Sequence, residues 1–186
     1  DEGIPSLLVA REYHDLAGAR RAGLSAVTAN ILSDYAVRDL DLSGLGRFIA
    51  TTPDDEVNAT AAREFTHVLG RAHVFQLQRA EHAAGHGENS RRAAASHLTA
   101  RTPFQPPLDH AELAEKWEQR ARVTVTRLSD EFGMEEFAAV HGEDAVLLFV
   151  VRDGELEVFT DRTREPGPGA RVIALVPDER EPGDRE

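Results

Sequence analysis

The sequence contains no cysteine. That removes disulfides, thiolate metal sites and a cysteine nucleophile, and it fits a reducing compartment. Positive charge is scarce: 21 Lys and Arg stand against 33 Asp and Glu, a net charge of −12. A general nucleic-acid binder would carry a basic face, so that class is set aside. No apolar run approaches the ~18 residues of a spanning helix, and no signal-peptide pattern opens the chain. The chain as given is therefore expected to be soluble, although a parent protein could sit in a membrane. Missing too is any G-x-G-x-x-G, the turn whose amides cradle a pyrophosphate at a helix N-terminus. What is present suffices for a core. Of 186 residues, 41% are hydrophobic, which suits one large domain or two small ones.

The front half alternates short apolar runs with helical patterns. "SLLVA" (6–10) reads as a buried strand, and "YHDLAGARRAG" as a helix stopped at Gly23. "SAVTA" (25–29) is a second strand, after which Ser33 can cap "DYAVRDL". "RFIAT" (47–51) is a third strand, and a helix from Pro53 to Leu69 puts Val57, Ala61, Phe65, Val68 and Leu69 on one stripe. Gly70 ends that helix, and "AHVFQLQ" (72–78) is a fourth strand. Continuous apolar strands alternating with helices indicate a parallel sheet covered by helices.

Residues 80–107 carry Ala, Arg, His, Gly, Ser and Pro without a sustained period, and read as a linker with Phe104 as an anchor. "DHAELAEKWEQRA" is an amphipathic helix in which Leu113 and Trp117, four apart, share the buried face. "RVTVTRL" alternates as a strand. "SDEFGMEEFAAVHG" fits a capped helix with Phe132, Glu136 and Phe137 near its start, weakened by Gly133. "AVLLFVV" and "LEVFT" form a hairpin across Asp153-Gly154, and "ARVIALVP" is the last strand. "DEREPGDRE" is a charged tail, expected to fray. These elements imply a small antiparallel α+β subdomain.

The turn "TTPDDEVNATAAREF" (51–65) has the position of a ligand site in doubly wound proteins, where a strand feeds a helix. Its residues argue for a cap instead. Thr52 can cap the helix, Pro53 suits its first position, and Asp54, Asp55 and Glu56 occupy its positive end, where they would repel a second anion. His82 and His86 are four apart, a metal-compatible spacing, but "HAAGHGEN" is glycine-rich with no further ligand pattern nearby, so no metal site is expected. No carboxylate pair has the context of an acid/base couple, and "GLSAV" lacks the second glycine of a nucleophile elbow. No catalytic residue and no enzyme activity is expected.

The run "LLVAREYHDLAGARRAGLSAVTANILSD…DLDLSGLGRFIATTPDDEVNATAAREF…LGRAHVFQL" resembles the nucleotide-binding half of RCK domains, also called TrkA-N domains. It looks most like the copy at the cytosolic C-terminus of bacterial sodium(potassium)/proton antiporters of the NhaP type. "RLSDEFGMEEF" and "PGPGARVIALVP" also look like that antiporter tail. The resemblance covers most of residues 1–78 and, more loosely, 108–177. It implies an α/β fold: an incomplete Rossmann-like parallel sheet of RCK N-type (1–79), a linker (80–107), a small α+β antiparallel subdomain (108–177) and a charged tail (178–186).

In that family a strand, a glycine-rich turn and a helix precede "LLVA", so the chain resembles a piece of a larger protein. The family's first strand lies mid-sheet, and without it two strand edges are left unpaired. Each buried polar group without a partner costs ~1–3 kcal/mol, against a net domain stability of ~5–15 kcal/mol. "SLLVA" is therefore expected to pair directly with "RFIAT", or another chain to supply the pairing.

The resemblance also nominates site residues. Arg11 stands where the family commonly has a ribose-binding acid. It could hold a phosphate, or Glu12 could substitute by a one-residue shift; the plainer reading is a surface Arg. Asn30 stands at the adenine-edge position, against a local turn as the plainer reading. Thr51, Thr52 and Asp54 complete the set, and Asn58 belongs to the family pattern, with a mere bridge from helix to loop as the plainer reading. No cofactor is certain; a nucleotide (AMP, ATP or NAD) is the ligand class the resemblance allows. The implied function is a regulatory domain at the cytoplasmic face of the membrane, gating an antiporter by dimerisation and ligand sensing. Its partners would be the transport domain of the same polypeptide and a second copy. Eight histidines supply groups that titrate near neutral pH. The alternatives are a nucleotide sensor of a potassium transport or channel system and, from another class, a fragment of a dinucleotide-dependent oxidoreductase. The missing glycine turn disfavours the last.

Overall fold

A computed structural model describes residues 3–80 and 100–178. Most of the expected linker (81–99, with His82 and His86) and all of the tail after Asp178 lie outside the described residues. The chain divides into two units: a front unit running to Gln76 and including Ala100 and Arg101, and a rear unit of Leu77–Ala80 and the residues from Thr102 onward.

The front unit holds two strand–helix–strand crossovers. Strand β1 (Leu7–Ala10) leads through a 3₁₀ turn (His14–Leu16) and helix α1 (Ala17–Arg21) into β2 (Ser25–Thr28). Gly23 closes α1 with φ of 77°, as expected of a helix stop. Helix α2 (Asp34–Arg38) follows, and the Ser33 side chain caps it by accepting from the Ala36 N–H. Strand β3 (Phe48–Ala50) then leads through α3 (Asp55–Leu69) and a second 3₁₀ turn into β4 (Val74–Gln76). Both crossovers yield parallel pairs, β1 with β2 and β3 with β4.

One expectation fails here. The four strands do not form one sheet, and β1 does not pair with β3; each belongs to its own two-stranded sheet. The direct pairing of "SLLVA" with "RFIAT" is overturned. The physical reason lies in the core, which Phe48, Phe65 and Val74 build around the β3–β4 pair, with Phe48 and Phe65 stacked at 4.2 Å. Those contacts bind β3 to α3 and β4 and leave its other edge to a cleft.

Helix α3 also sits differently from its expected stripe. Ala61, Ala62, Phe65 and Asn58 are buried, whereas Val68 is 47% exposed. The buried face is turned toward Asn58, leaving Val68 ~70° to one side. The start of α3 is corrected too. Its cap is Asp54, not Thr52, and Pro53 lies outside the helix.

The rear unit is a four-stranded antiparallel sheet in the order β5 (Arg122–Arg127), β8 (Arg171–Val176), β6 (Val146–Arg152), β7 (Glu155–Val158). Val172, Ala174 and Val176 project to one face, where Phe137 of α5 (Met134–His141) packs. Leu175 packs with Val146, Leu77, Phe104 and Leu108 in a separate cluster. Phe104 is the anchor expected, held at φ 75° with its N–H donating to the Phe159 carbonyl. The Asp153-Gly154 turn has both residues at positive φ, as a two-residue hairpin requires. Two expectations need correction. Gly133 does not weaken α5 from inside but precedes it as the N-cap. Trp117 of α4 (His110–Glu118) does not share a buried face with Leu113 but is 67% exposed.

Candidate functional site

The nominated residues of the front unit follow the C-terminal ends of its strands. Arg11 comes directly after β1 and is exposed, and Asn30 lies just beyond β2. The Asn30 side chain accepts from the Leu32 N–H at 3.1 Å, and the Asn30 main-chain carbonyl accepts from the Ser33 hydroxyl at 2.6 Å. Asn30 therefore builds the local turn that positions the cap of α2.

Thr51, Thr52 and Asp54 form the β3–α3 turn. The Asp54 carboxylate accepts from the Glu56 and Val57 amides at 3.0 and 3.1 Å, and the Asp54 carbonyl accepts from the Asn58 amide. The Glu56 and Val57 amides are donors with which a helix N-terminus would grip a phosphate, while the Asn58 amide makes the first intrahelical bond. Those two donors are taken up inside the turn, beside three acidic side chains, so the turn is built as a cap.

Asn58, 2% exposed, fastens the turn to the helix. Its Oδ1 accepts from the Thr52 N–H at 3.0 Å and from the Thr52 hydroxyl at 2.8 Å, and its Nδ2 donates to the Thr52 carbonyl at 2.8 Å. A buried amide bonded to both main-chain groups of one loop residue fixes that residue completely. The sequence signal for this role was an amide one turn into a helix whose neighbours are apolar.

Beside the turn lies a cleft of about 150 Å³. Leu7 and Val9 line it from β1, residues 48–50 from β3, Thr51 and Thr52 from the turn, Leu40, Leu42 and Leu45 from the loop before β3, and Val57, Ala61 and Phe65 from α3. Two of its walls are strand edges. The Ala10 carbonyl accepts from the Ala29 N–H, so Ala10 faces β2. By the alternation of a parallel ladder Leu8 does too, while the main-chain groups of Leu7 and Val9 face away from β2. On the other wall, the Val74 carbonyl and the Gln76 N–H are both bonded to Arg101, so Phe75 faces β3. Its register partner Ile49 then turns its N–H and carbonyl away from β4. Thr51 and Thr52 border the cleft; Arg11, Asn30 and Asp54 do not. The structure thus divides the nominated residues rather than gathering them. The enclosed volume is below the ~300–1,000 Å³ of pockets that surround a small-molecule ligand.

Among the described residues no cluster of His, Asp and Glu could hold a metal ion, and no helix is long and apolar enough to cross a membrane. Asp41 and Glu136 have their carboxyls held below the ordinary range. For Asp41 the cause is hydrogen bonding from the Ser43 side chain and then its amide; for Glu136 it is the Gly133 amide, followed by its own.

No protein-family model matches the sequence, and no curated protein matches it. Among solved structures, the crystal structure of the GsuK RCK domain is similar over 95% of this chain, at 12% identity and a TM-score of 0.31. The chain spans 45% of that structure's length. A likeness at this level carries no argument about activity or partners.

Proposed function

We propose that this chain is a regulatory domain of a monovalent cation/proton antiporter, placed at the cytoplasmic face of the membrane and acting on transport through dimerisation and ligand sensing. The reading rests on the RCK-type motif string. The observation that carries it is the β3–α3 turn, in which "TTPDDEVN" forms one hydrogen-bonded unit between a parallel strand and its crossover helix. No catalytic role is assigned.

Dimerisation belongs to the rear sheet in this reading. Its outer strand β5 exposes Val123 and Val125, at 53% and 46%, on an edge paired only with β8. An exposed apolar edge strand is a template for pairing with another chain.

The test is cation/proton exchange in everted vesicles carrying the parent transporter with and without these residues. The proposal expects the pH or ligand dependence of exchange to change on removal; an unchanged dependence contradicts it. The second reading, a nucleotide sensor of a potassium transport or channel system, is favoured by Thr51 and Thr52 bordering the cleft. Calorimetry with AMP, ATP and NAD(H) separates the two, since only the sensor reading requires saturable heat.

A further inference from the structure

We propose that strand β5 pairs antiparallel with β5 of a second copy about a two-fold axis at Thr124, joining two four-stranded sheets into one. This rests on the dimerising reading of the chain and assigns that dimer a register.

The rear ladder shows which groups are left over. The Leu128 N–H donates to the Ala170 carbonyl, one step beyond the register pair Arg127–Arg171. By the alternation of an antiparallel ladder, the main-chain groups of Thr124 and Thr126 also face β8, while those of Val123, Val125 and Arg127 face away from it. β5 ends the sheet, and no described strand lies on that side. The side chains alternate in the same step. Thr124 is the register partner of Ala174, on the face where α5 packs. Val123 and Val125 therefore lie on the opposite face, beside their partners Leu175 and Ile173.

This edge complements itself. With the axis at Thr124, Val123 lies opposite the partner's Val125, and Val125 opposite the partner's Val123. Both pairs join residues whose main-chain groups face outward, so both are of the hydrogen-bonded kind. Valine meets valine on one face, and Thr124 meets the partner's Thr124 on the other. Arg122 falls opposite the partner's Thr126, and Arg127 opposite the partner's Ala121, so no arginines face each other. Charge favours the same edge. The chain carries −12, yet Arg122–Arg127 holds two arginines and no acid. The sheet's other edge is blunted. There the Thr163 hydroxyl donates to the Val158 carbonyl at 3.3 Å, and Glu155 and Glu157 of β7 would bring carboxylates together.

The test is sedimentation of the 186-residue chain over a dilution series, with hydrogen exchange and single introduced thiols. A dimer is expected in which exchange at the Val123 and Val125 amides is slowed at least about tenfold relative to the dilute chain, while the Thr124 and Thr126 amides are protected in both. Across the axis the two Thr124 Cα atoms lie ~4.5 Å apart, within the ~4.4–6.8 Å that a disulfide spans. Thr124→Cys should therefore bridge to its own copy under mild oxidation. Thr126→Cys should not, being offset from its copy by ~13 Å along the strands. Val125→Pro removes an outward donor without touching the β8 ladder and should weaken dimerisation at least about tenfold. Val123→Lys with Val125→Lys keeps every main-chain group, sets like charges opposite one another, and serves if the proline variant does not fold. Bridging at Thr126→Cys as fast as at Thr124→Cys would overturn the register. A dimer that neither bridges at Thr124→Cys nor responds to the β5 variants would overturn the β5 pairing and leave the dimerising reading standing. A chain monomeric at every concentration would overturn both.

Discussion

Asn58 shows how much one side chain settles in the front unit. An amide in an apolar stripe must satisfy its polar atoms locally, and here Thr52 provides the partners for both ends of it. Asn58→Ala would leave the Thr52 N–H and carbonyl without partners, at a cost of ~1–3 kcal/mol. The midpoint of urea unfolding should fall accordingly, with the slope unchanged. Glu136 makes a second prediction, this one on pH. Its carboxylate accepts from the Gly133 N–H at 2.8 Å, which holds its pKa below the ordinary 4.5. A carboxyl whose folded pKa is depressed contributes fully above its unfolded value and loses that contribution as pH falls through the folded value. The Gly133 amide resonance should therefore titrate with a midpoint below 4.5, and α5 should begin to fray from its N-terminus in the same window. Glu136→Ala should abolish the titration.

At the scale of elements, the cores of the two units are separable. Phe65 packs with Ala62 and Val74 in the front unit, and Phe104 with Leu77, Leu108, Val146 and Leu175 in the rear one. Phe65→Ala and Phe104→Ala should each cost ~3–5 kcal/mol, and calorimetry should show each variant lowering a different unfolding transition. Much of this was legible beforehand. The eight strands and the hairpin announce themselves through short apolar runs, alternation and the Asp153-Gly154 pair, all local signals. The cap of α2 by Ser33 was readable for the same reason. What escaped was decided by neighbours distant in sequence. Val68 fits the α3 stripe as well as Ala62 does until Asn58 turns the helix. Trp117 looks like a core residue on a short helix until Leu113 alone finds partners. The pairing of β1 is invisible in either strand, because Leu7–Ala10 and Phe48–Ala50 would each accept almost any parallel neighbour. At the site, the acids of the turn correctly pointed to a cap, though the capping residue was displaced from Thr52 to Asp54.

For the whole molecule, the central claim is that the front unit consists of two parallel pairs separated by a cleft. From that separation follows the dispersal of the nominated ligand residues. The absence of native cysteine makes it directly measurable. Thiols introduced as Val9→Cys with Ile49→Cys, and as Leu7→Cys with Ile49→Cys, would be the only ones in the chain. A disulfide requires Cα atoms within ~4.4–6.8 Å, a range typical of directly paired strands, whereas strands separated by one strand's width lie ~9–10 Å apart. Under mild oxidation the account predicts that neither pair bridges within one chain, while Val9→Cys with Val27→Cys, register partners in β1 and β2, does. Rapid and complete bridging of Cys introduced at Val9 and Ile49 would show the two edges joined, and would contradict it.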